Sequence, residues 1–220
     1  MKSFIIHLPA IQSSLESALQ LQQDLKDIGI DAELFEGTYG NDAEELIKKE
    51  NRTVHNISFK GYEIDERGIA KAMRPGVIGC FYSHYRLWQK CVELNQNLCI
   101  FEDDVRIVRP LMPVDFEDIL ITVLGARKNR KYLHYLHNPQ GDPYAAEYQN
   151  SSMPGTPGYM ITPSGAKKLL KYYKTTFLPS DNAINKSVVD IKIHSHLIGE
   201  ANLEKKSLTK ASNFWRSFNG

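Results

Sequence analysis

The sequence predicts an α/β domain whose ligand-binding edge carries three consecutive carboxylates. Three observations predict it. The chain opens with strand, helix and strand patterns at Lys2 to Leu8, Ser13 to Ile28 and Asp31 to Phe35, the order of a parallel crossover unit. A later apolar run, Leu98 to Phe101, ends abruptly in Glu102-Asp103-Asp104. The longest helical pattern, from Pro75-Gly76 to about Leu94, immediately precedes that run. Open α/β sheets bind ligands at the carboxyl ends of their strands, which is where these acids fall.

The elements follow in order. Pro9 separates the first strand from its helix, and Gly29 stops that helix before the second strand. Asn41 to Glu50 reads as a short charged helix, and Asn51 to Arg74 as a polar, irregular excursion. On the helix that begins at Pro75, Val77, Phe81, His84, Trp88 and Val92 share one stripe at three- and four-residue spacing. After the acids, Asp115 to Leu124 reads as a helix and Lys131 to His137 as a strand. His137 to Pro157 is a long polar loop, of the length that is usually functional or disordered. Tyr159 to Thr162 reads as a short strand, and Pro163 as the first residue of a helix reaching about Tyr173.

Composition narrows the function class. A chain of 220 residues suits one domain, here placed at 1–200, with a basic and aromatic tail at 201–220. Its 27 Lys+Arg against 26 Asp+Glu exclude a global electrostatic case for nucleic acid. Cys80, Cys91 and Cys99 lie in apolar segments without metal-ligand spacing and read as reduced core residues. Met1 to Leu8 reads as a strand rather than a signal peptide, and no run reaches membrane-spanning length. The expectation is a cytoplasmic protein, so the sequons at Asn51, Asn56, Asn150 and Asn185 are discounted. The tail holds Lys205, Lys206, Lys210 and Arg216 with Phe214, Trp215 and Phe218, which fits peripheral contact with anionic lipid or a frayed terminus.

The three acids repel one another unless a cation or donors offset them, which suggests a divalent metal. In an extended strand end, Glu102 and Asp104 would point one way and Asp103 the other. The competing reading is an acidic turn paired with Arg106 or Arg109.

Three segments in this order resemble glycosyltransferase family 25, the lipooligosaccharide galactosyltransferase type. They are Gly76-Val77-Ile78-Gly79-Cys80-Phe81-Tyr82-Ser83-His84 running on to Leu87-Trp88, then Ile100 to Val105, then Gly155 to Thr162 continuing through Gly165 to Leu170. The resemblance covers about residues 1 to 185. It implies a GT-A (Rossmann-like) fold with a mixed, mostly parallel sheet. It also implies a UDP-sugar donor, usually UDP-galactose, inverting transfer, and a lipid-linked oligosaccharide acceptor at the inner face of the bacterial inner membrane. Where the family has an Asn-Leu pair and soon an arginine, this chain has His7-Leu8-Pro9 and no Lys or Arg between Lys2 and Lys26. Val77 stands where a glutamate is common.

By that resemblance Asp104 is the main ligand of Mn²⁺ or Mg²⁺, Glu102 faces the ribose or a metal-bound water, and Asp103 assists. Asp181 is the general base, or else the N-cap of a short helix beginning at Asn182. His196, sharing one face of a strand Val188 to Leu197 with His194, is a further metal ligand, or else both histidines lie on a solvent-facing edge. Thr156, Gly158 and Tyr159 shape the donor or acceptor pocket. Ser83 touches the donor or caps a backbone group, and His84, on an apolar stripe, reads as a supporting residue. The loop with Asn138, Asp142, Tyr144 and Tyr148 reads as a lid that closes to exclude water. Two alternatives remain open: a nucleotide-sugar-binding protein without turnover, and a metal-dependent phosphoesterase or hydrolase.

Overall fold

The computed structural model describes residues 1–54, 75–124, 140–153 and 155–201. Strand β1 (Lys2–His7) lies between β2 (Ala32–Glu36) and β4 (Leu98–Glu102) and is parallel to both. The register opposes Ile6 to Glu102, so the acids emerge beside the end of β1. Helix α1 (Gln12–Asp27) makes the β1–β2 crossover and ends where Gly29, at φ +82°, takes the left-handed conformation that closes the last turn. Helix α2 (Gly40–Lys49) and the two-residue strand β3 (Thr53–Val54) follow, then α3 (Pro75–Leu94) leads into β4.

Beyond β4 come β5 (Val105–Ile107), β6 (Ile119–Leu124), β7 (Ala145–Glu147) and β8 (Gly158–Ile161). Helix α4 (Pro163–Tyr172) starts at Pro163 with the Thr162 hydroxyl accepting from Gly165 N–H, a side-chain cap on an orphan donor. The last elements are β9 (Thr176–Phe177), α5 (Ser180–Ala183), β10 (Ile191–His194) and β11 (Gly199–Ala201). The main sheet runs β2-β1-β4-β8-β6-β10-β7, with β11 pairing β6 and β5, while β3 and β9 form a separate pair. Strands β8, β7 and β5 are antiparallel to their neighbours, which makes the sheet mixed.

Alternate residues of each central strand serve opposite faces. Phe4, Ile100, Ile121 and Tyr159 pack with Phe81 and Trp88 of α3, and with Leu169 of α4. Ile5, Phe101 and Val123 pack with Ala18, Leu21 and Leu25 of α1. Strands covered on both faces read as unbroken apolar runs, and that is how one element misleads. The expected helix Asp115 to Leu124 is instead strand β6, whose six residues are all buried. Its β-branched run Ile-Leu-Ile-Thr-Val-Leu satisfies a central strand between β8 and β10. The expected strand at Lys131 to His137, Asn138 and the tail lie outside the described residues, as does most of the excursion before α3.

Gly158 opens β8, and a Cβ there would meet Val123 Cγ2 at 2.5 Å and Val123 Cβ at 2.8 Å. Its glycine is therefore a demand of core packing. Gly158→Ala is expected to cost about 1–3 kcal/mol by overpacking, checked by urea unfolding, and an unchanged midpoint would remove this account.

Candidate active site

The carboxyl ends of β1 and β4 meet the face of α3 that carries Cys80 and His84, one turn apart. Glu102, the last residue of β4, is where the two surfaces join. Its Oε1 accepts from Thr156 Oγ1 at 2.6 Å, lies 3.2 Å from His84 Nε2, and is 3.7 Å from Cys80 Sγ. His84 has no exposed surface, and its Nδ1 lies 2.9 Å from the Tyr159 hydroxyl. Trp88 Nε1 donates to that same hydroxyl at 2.9 Å.

The proton directions follow from what each group can do. An indole N–H only donates, so the tyrosine proton is available to His84 Nδ1, and Nε2–H then points to Glu102. Thr156 gives its proton to Glu102, so Ser180 Oγ, 2.9 Å away, donates to Thr156. Cys80 Sγ lies 3.2 Å from Ser180 Oγ and 3.7 Å from Glu102 Oε1, and its single proton serves one of these two acceptors at a time. Every hydrogen bond in the cluster therefore runs toward one carboxylate oxygen.

The electrostatics agree. Burial alone would raise the Glu102 carboxyl, but the bonds from His84, Thr156 and Cys80 outweigh it and hold the group below the usual range. Burial, reinforced by the negative charges of Glu102 and Asp181, pushes the Cys80 thiol well up. A part-buried carboxylate at a sheet's ligand edge, with one oxygen held by several donors, is a prepared anionic point.

The remaining expected residues are placed as follows. Asp103 and Asp104 are part-exposed and form a turn into β5, so the strand alternation assumed for them stops at Glu102. Among the described residues the group of three ligating side chains is Cys80, His84 and Glu102; Asp104 and His196 do not join it. Asp181 is near enough for its charge to act on Cys80. It is not an N-cap: α5 already begins at Ser180, with Pro179 in the capping position. Ser83 is buried, donating to Gly79 O at 2.7 Å and accepting from Thr38 N–H at 2.9 Å, which ties α3 to the β2–α2 loop.

The strand expected over Val188 to Leu197 ends at His194, and the solvent-facing edge is absent because both histidines are buried. His196 N–H donates to His194 Nδ1 at 2.9 Å, so His194 carries its proton on Nε2 and donates to Met112 O at 2.8 Å. Burial holds His194 below the ordinary imidazole value. His196 Nε2 is buried without a hydrogen-bond partner among the described residues. The expected lid is partly anchored, since β7 pairs with β10 and Tyr148 is in the core, while Asp142 and Tyr144 are exposed.

All three cysteines are free; Cys91 and Cys99 are buried as expected, whereas Cys80 is only partly buried and lies 3.7 Å from Glu102 Oε1. Ser180 also went unnoticed in the sequence. The spacing of Cys80, His84 and Trp88 at four-residue steps, polar groups inside an apolar stripe, was the available signal. A cavity of about 430 Å³ opens on the opposite side of α3, lined by Glu36, Thr38, Tyr39, Tyr82, Tyr85 and Arg86 among others. Tyrosines with carboxylates and one guanidinium suit a hydroxyl-rich ligand.

Comparison with known proteins gives a consistent picture. The model of glycosyltransferase family 25 (LPS biosynthesis protein) matches residues 1–184. The lipooligosaccharide biosynthesis protein lex-1 of Haemophilus influenzae is 31% identical over 164 residues, which are 67% of this chain and 48% of that protein. A glycosyltransferase 25 family member of Drosophila pseudoobscura pseudoobscura is 30% identical over 166 residues, 70% of this chain and 25% of its own. Procollagen galactosyltransferase 1-B of Xenopus laevis is 27% identical over 184 residues, 76% of this chain and 27% of its own. The chain thus spans about half the length of the bacterial relatives it matches.

Proposed function

This chain belongs to glycosyltransferase family 25, and we propose that it transfers a hexose, galactose first among the candidates, from a UDP-sugar to a saccharide acceptor of the lipopolysaccharide or lipooligosaccharide kind, with inversion. The observation that carries the reading is Glu102, a part-buried carboxylate whose Oε1 faces Thr156, His84 and Cys80 at the end of β4, followed at once by Asp103 and Asp104. The names of the relatives, a lipooligosaccharide biosynthesis protein and a procollagen galactosyltransferase, support the reaction class.

The carboxylates of the turn are hard oxygen donors and fit Mn²⁺ or Mg²⁺. Asp104 would be the main ligand with Asp103 assisting, while Glu102 faces the ribose or a water on the ion. When bound, such an ion neutralises the charge that gathers on the departing diphosphate. The chain's own residues position and move protons. Asp181 accepts the proton of the acceptor hydroxyl, a carboxylate task in inverting transfer. Thr156 holds the Glu102 rotamer by its hydrogen bond, and Ser180 in turn holds Thr156. No helix among the described residues is long and apolar enough to cross a membrane; contact with a lipid surface in this proposal is peripheral, through the basic tail.

Calorimetry with UDP-galactose, UDP-glucose and UDP-N-acetylglucosamine, with and without Mn²⁺, tests the donor assignment. One UDP-sugar is expected to bind in a Mn²⁺-dependent manner and at least about 10-fold more weakly to Asp104→Ala. Absence of binding by all three sugars in both conditions would overturn it. UDP release that requires an added saccharide separates transfer from the hydrolase reading, and binding without release separates it from a non-catalytic binder.

A further inference from the structure

We propose that Cys80, His84 and Glu102 form a binding site for a borderline-soft divalent ion of the Zn²⁺ class, a site that shares Glu102 with the acidic turn but not its hard-ion chemistry. The three ligating atoms, Sγ, Nε2 and Oε1, all lie within 4.8 Å of one another. Around a tetrahedral zinc with ordinary bond lengths, nitrogen and oxygen ligands stand about 3.3 Å apart and sulfur and oxygen about 3.5 Å. The separations here are 3.2 Å for His84 Nε2 to Glu102 Oε1 and 3.7 Å for Cys80 Sγ to the same oxygen. Two of the three separations stand at ligand spacing, and the third, Cys80 Sγ to His84 Nε2, is within 4.8 Å.

The donor set decides which ion. Thiolate, imidazole and carboxylate together select Zn²⁺ and its neighbours, whereas Mg²⁺ and Mn²⁺ prefer oxygen alone. Three protein ligands would leave a fourth position open; Thr156 Oγ1 lies 2.6 Å from Glu102 Oε1, and Ser180 Oγ lies 3.2 Å from Cys80 Sγ. The outer support is also built: Tyr159 holds the far nitrogen of His84, and Trp88 holds Tyr159. Helix α3 fixes two ligands one turn apart and β4 fixes the third, so all three ride on regular elements.

The exchange balances as follows. The ion enters, the Cys80 thiol proton leaves to solvent, and the His84 proton moves from Nε2 to Nδ1; Tyr159 turns from donor to acceptor in that bond, its own hydroxyl proton rotating away from the ring. Starting from a singly protonated ring, one proton is released for each ion bound. A bound ion holds Glu102 Oε1 in place of the His84 and Cys80 hydrogen bonds, which takes that oxygen away from donor binding.

The test uses the metal-stripped full chain, without donor or acceptor, so that the UDP-sugar calorimetry can fail while this result stands. Zn²⁺ is titrated against a chromophoric chelator, and Co²⁺ is followed by absorption. One ion per chain is expected at micromolar concentration, with a thiolate-to-cobalt band in the near ultraviolet. Cys80→Ser is expected to lose the band and weaken Zn²⁺ by at least about 100-fold; His84→Gln should weaken it similarly, and Asp104→Ala should retain both signals. Thermal unfolding establishes that each variant is folded, and the wild-type cobalt spectrum decides the matter if neither ligand variant folds. Absence of the thiolate band in wild type, or zinc lost in Asp104→Ala yet kept in Cys80→Ser, would overturn the site.

Discussion

Glu102→Gln is expected to lower sugar transfer by about 10²- to 10³-fold while leaving the chain folded. The amide keeps the size of the side chain and one oxygen for Thr156 and His84, but it removes the negative charge that the cluster is built to hold. Glu102→Ala is the poorer experiment. It strips three donors of their acceptor at a site where His84 is wholly buried, and each orphaned group costs about 1–3 kcal/mol. The glutamine variant also reports on pH. Glu102 has its carboxyl lowered in the folded state, so its stabilising contribution is complete above the unfolded value of about 4.3 and fades as pH falls through the lower folded value. The difference in urea midpoint between wild type and Glu102→Gln should therefore be largest at pH 6 and shrink toward pH 3. A folded Glu102→Gln enzyme with wild-type turnover would take this residue out of the reaction.

Trp88→Ala is expected to destabilise the protein by about 3–5 kcal/mol, the largest stability effect of a single side chain at this site. Trp88 is wholly buried, meets Phe81 edge-on with ring centroids 6.1 Å apart, and donates to Tyr159. Its removal leaves a cavity between α3 and the sheet and frees the hydroxyl that orients His84. Trp88→Phe separates these effects. It retains most of the bulk but not the indole N–H, for a cost of about 0.5–1.5 kcal/mol from the missing bond, and transfer should fall because His84 is held less firmly. Urea denaturation checks both variants. A loss below about 1 kcal/mol for Trp88→Ala would mean that α3 does not depend on this contact.

The opening crossover unit was legible because its periods are unambiguous: a helix stripe ending at Gly29 between two runs rich in β-formers. Helix α3 was equally plain from its stripe. Strand β6 was not, because Ile119–Leu124 is apolar at five of its six positions, with only Thr122 polar, and carries no period to separate a short buried strand from a helix. Only its place between β8 and β10, with both faces covered, settles it. The paired histidines failed for a related reason. Alternation at His194 and His196 suggests a strand face, but the chain leaves the β6 ladder at Ser195, where the backbone N–H bonds to Tyr144 O.

By itself the sequence determined the α/β class, the strand that delivers the acids, and the helix that precedes it. Those depend on hydrophobic period and on turn residues, which act over a few positions. It also drew Glu102 forward, because a charge at a strand's end stands out locally, whereas Asp181 came forward only through the family resemblance. Only the tertiary structure decided that Cys80 and Ser180, separated by 100 positions, are in contact, and that Thr156 reaches across to Glu102. Such contacts are made by packing α3, the end of β4, the segment before β8 and α5 around one carboxylate oxygen. A helix's period says which face is apolar; it does not say which carboxylate that face will meet.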